Sequence, residues 1–310
     1  MNLNPLTQIN LFEHKEVFNQ LYKLSKNDTL PNKILLSGEK GIGKSTLAYH
    51  LINLVLSENE EHSYDFEKNK INPDNKSYKL ILNKSNPNFY LIDVLEEKKN
   101  IDINQIRELI INLNKSSFNN KKRFVLIDNI ELLNINSINA LLKILEEPNE
   151  NINFILIHNN RKILSTLLSR CINFKISLSN NDYLKISNQL LNNDLNNLVS
   201  NELINYYFTP GEIYQLVQFS SENDYDLSNI DLKNFLKILI NDTQYKKNNF
   251  INNMMYSLME FYFRKSNQSF SKLLNEKYSY FIKRISDTKT YNLDKESLFM
   301  EFNEEILDAH

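Results

Sequence analysis

The sequence predicts an α/β parallel-sheet domain followed by an all-α remainder. Three observations carry this. Apolar runs of strand length alternate with helix-period segments between about residues 33 and 176. A glycine-rich turn joins the first of those runs to a helix. After Ser177 the strand-like runs stop, and apolar residues recur at helical spacing.

In order, residues 5–30 read as a loop and a helix with Val17, Leu21 and Leu24 on one face. Pro31 resets the chain before a strand, Lys33 to Ser37. A helix from Lys44 to Leu56 follows the glycine turn. Residues 57–87 are charged and turn-rich, with Leu80-Ile81-Leu82 their apolar cluster, and read as a solvated connection. Phe89 to Ile92 is a strand. Asp102 and Gln105 have capping-box spacing ahead of a helix carrying Ile103, Ile106, Ile110 and Leu113. Arg123 to Ile127 is a strand running into Asp128. Asn136 is a candidate cap for a helix with Ile138, Leu141, Leu142 and Leu145, which Pro148 would stop. A strand (Phe154–Ile157), a short helix (Ile163–Leu168) and a strand (Ile172–Ile176) complete the alternation. Beyond it, Leu184–Leu191, Leu195–Phe208 and Ile213–Phe219 form one helical module. Stripes at Leu232–Leu239, Ile251–Phe261, Phe281–Ile285 and Leu298–Ile306 form another and read as packing faces.

Three of the four glycines, Gly38, Gly41 and Gly43, lie within six residues of Gly38-Glu39-Lys40-Gly41-Ile42-Gly43-Lys44-Ser45. The stretch fits G-x-x-x-x-G-K-[ST], the P-loop pattern. Glycines let successive N–H groups turn toward phosphate oxygens, and the following helix adds its unpaired N–H groups and positive dipole end. Lys44 would reach the outer phosphates and Ser45 would ligate Mg²⁺. Phe124-Val125-Leu126-Ile127-Asp128 fits a Walker B strand, whose carboxylate can hold the same ion. Hydrolysis also needs a group that polarises water, but Asn129 follows Asp128 and cannot act as a base. Glu131 is expected to point elsewhere.

Bulk properties narrow the field. A net charge of −2 argues against a nucleic-acid binder working by bulk charge. Lys121-Lys122-Arg123 and Lys98-Lys99 read as solvated faces rather than DNA contacts. The single cysteine, Cys171, excludes an internal disulfide framework. The five histidines lack metal-ligand spacing, so no zinc is expected. Met1 to Gln8 lacks the apolar core of a signal peptide, and no apolar run suits a bilayer. A cytoplasmic protein with no membrane contact is the expectation.

Several stretches carry a resemblance. Ile138-Asn139-Ala140-Leu141-Leu142-Lys143-Ile144-Leu145-Glu146-Glu147-Pro148 is very similar to the N-A-L-L-K-x-L-E-E-P signature of bacterial clamp-loader subunits, and Leu168-Ser169-Arg170-Cys171 carries their S-R-C motif. Leu30 to Gly38, Asn86-Pro87-Asn88 and the Thr209-Pro210-Gly211 turn also resemble that AAA+ family, the matched region covering residues 8–176. The resemblance implies a P-loop AAA+ domain over 1–176, an all-α lid over 177–228 and an all-α C-terminal collar over 229–310. It implies that Gly38, Gly41, Gly43, Lys44, Ser45, Thr46 and Asp128 bind ATP or ADP with Mg²⁺. Asn159 takes the first-sensor position, and Arg170 becomes an arginine finger acting on a neighbouring subunit. The implied partners are delta and tau/gamma subunits of DNA polymerase III, with the sliding clamp and primer-template DNA met through the assembled complex.

Three departures refine this expectation. Glu212 stands where the second sensor is normally Arg, and it would repel a triphosphate. Asn129 replaces the usual acid. Residues 57–87 lack the four-cysteine zinc module of many relatives. A subunit that binds nucleotide, turns it over slowly or not at all, and donates Arg170 is expected. The alternatives are a hydrolytically active tau/gamma-type motor and an unrelated P-loop enzyme such as a small-molecule kinase.

Overall fold

The computed structural model describes residues 3–95, 98–115, 119, 121–146, 151–160, 163–206, 208–266 and 272–308. They form two compact units, Met1–Leu190 with Thr209–Gly211, and Leu191–Phe208 with Glu212–His310.

The first unit runs α1 (Lys15–Lys26), β1 (Lys33–Ser37), α2 (Lys44–Leu56), α3 (Lys76–Leu82), β2 (Phe89–Ile92), α4 (Ile103–Leu113), β3 (Arg123–Ile127), α5 (Ile135–Glu146), β4 (Ile152–His158), α6 (Ser165–Leu168), β5 (Ile172–Lys175) and α7 (Asn180–Leu191). Its five strands are all parallel, in the order β2-β3-β4-β1-β5. Alternate side chains of the central strands enter two cores. Ile34, Leu36, Phe124, Leu126, Ile155 and Ile157 pack with Phe18, Leu21, Leu47 and Leu51 of α1 and α2. Leu35, Val125, Ile127, Phe154 and Leu156 pack with Ile106, Leu109, Leu141 and Leu145 of α4 and α5. Burial on both faces explains why these strands are apolar throughout.

The α4 capping box forms: the Asp102 carboxylate accepts from Asn104 N at 3.1 Å, and Gln105 Oε1 accepts from Asp102 N at 3.0 Å. The start of α5 differs from expectation. Asn134, not Asn136, lies just before it and accepts from Ser137 N at 2.8 Å and Ser137 Oγ at 3.0 Å. Asn136 is already helical, so its backbone has passed the capping geometry. Glu147 and the expected stop at Pro148 lie outside the described residues.

Residues 57–87 are not a solvated connection. Tyr64, Ile71, Tyr78 and Ile81 join the core on the α2 side. Buried His50 of α2 holds this segment: Nε2–H donates to Gln8 O at 3.1 Å, and Nδ1 accepts from the Tyr64 hydroxyl at 2.8 Å. Burial lowers its pKa to about 4, so the ring is neutral with both nitrogens bonded. The spaced apolar residues were hidden in the sequence by the charges between them.

The basic cluster also has a structural use. Arg123 is buried, and Nη1 donates to Leu113 O at 2.9 Å and Lys115 O at 3.3 Å, satisfying carbonyls at the end of α4. Lys121 donates to Leu56 O at 2.9 Å and Lys122 pairs with Asp28 at 3.0 Å.

The second unit is helical: α8 (Leu195–Leu198), α9 (Asn201–Ile204), α10 (Pro210–Glu222, entered at Glu212), α11 (Leu232–Asn241), α12 (Gln244–Lys247), α13 (Asn249–Ser266), α14 (Lys272–Tyr291) and α15 (Lys295–Phe302). Phe263, Phe281 and Phe302 pack with ring centroids 5.5 to 5.8 Å apart, so the aromatic stripes are core. After α15 a π-helical turn, Asn303–Leu307, adds residues per turn and buries Leu307 rather than Ile306. Among the described residues no helix is long and apolar enough to cross a membrane.

Candidate nucleotide-binding site

All the expected binding residues gather at the carboxyl ends of the strands, where open α/β sheets place their ligands. The glycine turn follows β1, Asp128 follows β3 and Asn159 follows β4. Gly41 and Gly43 have φ of +88° and +93°, the left-handed region that favours glycine. At Gly41 a Cβ would also lie 2.4 Å from Thr209 Oγ1. The Thr209-Pro210-Gly211 turn thus seats directly on the loop, and Gly211 N–H donates to Gly41 O at 3.1 Å.

Lys44 opens α2 and is buried. Its ammonium folds back onto the loop, donating to Gly38 O at 3.1 Å and to Glu39 O. Burial lowers its pKa to about 8, against the opposing pull of Asp128, Glu131 and Glu39. Ser45 Oγ donates to Asp128 Oδ2 at 2.6 Å. Burial raises the Asp128 carboxyl above its ordinary value, partly offset by the Ser45 hydrogen bond. Thr46 sits beside them in the first turn of α2.

These groups fit a magnesium nucleotide. Lys44 and the start of α2 supply positive charge and N–H donors suited to phosphate. Ser45 and Asp128 supply a hydroxyl and one carboxylate, the hard oxygen donors that Mg²⁺ takes alongside phosphates and water. Among the described residues no group of three or more His, Cys, Asp or Glu could hold a metal ion by itself.

A carboxamide–carboxylate network borders the site. Asn129 sits in the left-handed region at φ 54°. Its N–H donates to Asp128 Oδ1 at 2.8 Å and its Nδ2 donates to Asp93 Oδ1 at 2.9 Å. Asn159 Nδ2 donates to Asn129 Oδ1 at 2.9 Å and to Glu131 Oε1 at 2.8 Å. Glu131 therefore points into the site, contrary to expectation, because the 3-10 turn Ile130–Leu132 swings it back toward β4. Asp93, just past β2, and Thr209 were missed by sequence reasoning. Asp93 could have been suspected from its place after a strand in the same sheet; Thr209 carried no sequence signal beyond its turn.

Arg170 lies elsewhere. Its Nε donates to Glu146 Oε1 at 3.0 Å, its Nη2 also pairs with that carboxylate, and Nη1 donates to Thr166 O at 2.7 Å. Beside it, burial raises the Cys171 thiol to about 11, which suits a packing role rather than nucleophilic chemistry. Glu212 lies in the first turn of α10, in the second unit.

The fold and these motifs define a P-loop protein, a five-stranded parallel α/β domain followed by a helical remainder. The family profile "DNA polymerase III, delta subunit" matches residues 13–180, more than half the chain, and the chain belongs to that family. It resembles clamp-loader delta′ subunits. A delta′ subunit from Pseudomonas aeruginosa is 30% identical over 139 residues, 44% of this chain and 40% of that protein. A DNA polymerase III gamma subunit from Buchnera aphidicola of Schizaphis graminum is 32% identical over 165 residues, 53% of this chain and 43% of that protein. Each match thus spans less than half of the relative's length. The crystal structure of a DNA polymerase III gamma-subunit-related protein from Thermotoga maritima superposes with a TM-score of 0.50 at 17% identity, covering 91% of this chain and 96% of that one, a likeness of fold.

Proposed function

We propose that this chain is a clamp-loader subunit of the replicative DNA polymerase III, working in the cytoplasm. It binds ATP or ADP with Mg²⁺ at Gly38, Gly41, Gly43, Lys44, Ser45, Thr46 and Asp128, with Asn159 facing the terminal phosphate. It turns the nucleotide over slowly or not at all, and no zinc is needed. It donates Arg170 to nucleotide held by a neighbouring subunit while the sliding clamp is loaded onto primer-template DNA. Its partners are the delta and tau/gamma subunits. Residues 1–176 form the nucleotide-binding domain, 177–228 the lid and 229–310 the oligomerising collar. The bound magnesium nucleotide would supply the phosphoryl group and the charge that Lys44, Asp128 and Ser45 hold in place.

The observation that carries weak turnover is the environment of Asn129. A carboxamide follows Asp128, and it is fixed by Asp93 on one side and Asn159 on the other. It accepts no proton from water. The test is nucleotide binding and turnover by the purified chain, alone and with its partner subunits. Binding lost in Lys44→Ala with little turnover alone supports the reading. Robust turnover by the isolated chain, abolished by Lys44→Ala, overturns it.

One observation favours the second reading, an active motor of tau/gamma type. Glu131 places a carboxylate 2.8 Å from Asn159, near where water would meet the terminal phosphate. Turnover by the isolated chain that disappears in Glu131→Gln would select that reading.

A further inference from the structure

From the geometry around the glycine turn we infer that His14 is a positioning residue for phosphate binding, its Nε2–H holding the Ile42 carbonyl outward so that the Gly43 N–H is presented to the anion. The inference rests on the nucleotide reading of the site.

His14 Nε2 lies 2.6 Å from Ile42 O. A carbonyl oxygen only accepts, so Nε2 carries the proton. In a planar trans peptide the C=O and the following N–H point in opposite directions. Anchoring Ile42 O at His14 therefore turns the Gly43 N–H away from His14. One peptide earlier, Gly211 N–H holds Gly41 O at 3.1 Å in the same manner and turns the Ile42 N–H away. Two outside donors thus set two successive peptides of the loop. Among the described residues the Gly43 N–H has no acceptor of its own. Successive N–H groups aimed to one side are the anion-binding arrangement of such loops.

The local backbone supports a specific task for this histidine. Glu13 and His14 have φ of 46° and 54°, two successive non-glycine residues in the left-handed region. That conformation costs energy and persists where the surroundings enforce it. His14 is the N-cap residue of α1, yet its side chain makes no capping hydrogen bond to that helix. The ring is directed to Ile42 instead, with Nε2 3.5 Å from where a Cβ on Gly43 would sit. Burial pushes its pKa below the ordinary value, which keeps the ring neutral with a single N–H to place.

Two substitutions separate the donor from the bulk. His14→Gln keeps an amide donor and His14→Phe keeps a ring without one; both bear the same backbone strain. Three readouts are taken on the full chain. In wild type, long-range proton–nitrogen correlation of the imidazole is expected to give the Nε2–H tautomer; the Nδ1–H tautomer overturns the assignment. The Gly43 amide resonance is expected to shift in the Phe variant and return toward wild type in the Gln variant. Affinity for Mg²⁺-ADP is expected to fall about fivefold in the Phe variant, the scale of one net hydrogen bond, and to recover to within about twofold in the Gln variant. An unchanged Gly43 amide and unchanged affinity in His14→Phe overturn the inference. If wild type binds no ADP, the nucleotide reading fails on its own, and the tautomer and the Gly43 amide decide the positioning role. If the Phe variant does not fold, the wild-type tautomer decides it.

Discussion

Glu131 Oε1 accepts a hydrogen bond from Asn159 Nδ2 at 2.8 Å, two positions beyond the carboxamide of Asn129. This pairing puts a negative charge within influence of the Lys44 ammonium, whose pKa Glu131 and Asp128 hold up against burial. Glu131→Gln should therefore move the Lys44 pKa further below about 8. Carbon-13 dimethylation of the lysines, followed by NMR titration, reads the shift. An unmoved or raised Lys44 pKa would show that the Glu131 charge does not reach the loop.

Lys44 also makes stability depend on pH. Its folded pKa of about 8 lies below the ordinary 10.5, so between those values the unfolded chain holds the proton and the folded chain does not. Its unfavourable desolvation is felt below about 8 and is relieved as pH rises toward 10.5. Compared with Lys44→Met, wild type should gain relative stability between pH 7 and pH 10. Urea unfolding of both proteins at the two pH values checks the sign.

His50 gives the opposite end of the scale. Its pKa of about 4 in the folded chain against 6.5 ordinarily means that folding excludes a proton the unfolded chain would bind. The associated stability is complete above 6.5 and is lost as pH falls through about 4. The shift corresponds to roughly 3 kcal/mol. His50→Gln should flatten the acid limb of the stability profile by up to that amount, as measured by chemical unfolding from pH 7 down to pH 4. An acid limb as steep as wild type would mean that residues 57–87 are held by other contacts.

Arg170 and Glu146 are both partly exposed, with 32% and 55% of their side-chain surfaces accessible. Such a pair contributes about 1 kcal/mol or less. Arg170→Ala should leave the melting temperature nearly unchanged and leave this chain's own nucleotide affinity intact. In the reconstituted loader it should depress ATP turnover by orders of magnitude, the scale of an arginine finger acting in trans. Glu146→Ala removes the same ion pair and should leave turnover high. Equal turnover in the wild-type and Arg170→Ala complexes would reject the finger.

Much of the fold was legible because its signals are local. A strand buried on both faces must be apolar throughout, and Ile34-Leu35-Leu36 and Phe124 to Ile127 announce themselves. The capping box at Asp102 and Gln105 closes within one turn of helix. The segment from 57 to 87 was misread because Tyr64, Ile71 and Tyr78 are spaced among charges, and their burial is set by α2 and the N-terminal segment. Arg123 looked like part of a basic face because nothing nearby in the chain marks the carbonyls of Leu113 and Lys115 as its partners.

The sequence by itself determined a P-loop on a parallel sheet, with Lys44, Ser45 and Asp128 in their positions and a carboxamide at 129. These follow from residue type and short-range order along the chain. Only the tertiary structure decided that Glu131 turns back to Asn159, that Thr209 and Gly211 seat on Gly41, and that His14 reaches Ile42. Those contacts join residues 28 to 170 positions apart, and their partners are chosen by the stacking of strands and the path of turns. No local propensity encodes such a meeting; the sheet brings the residues together once it has formed.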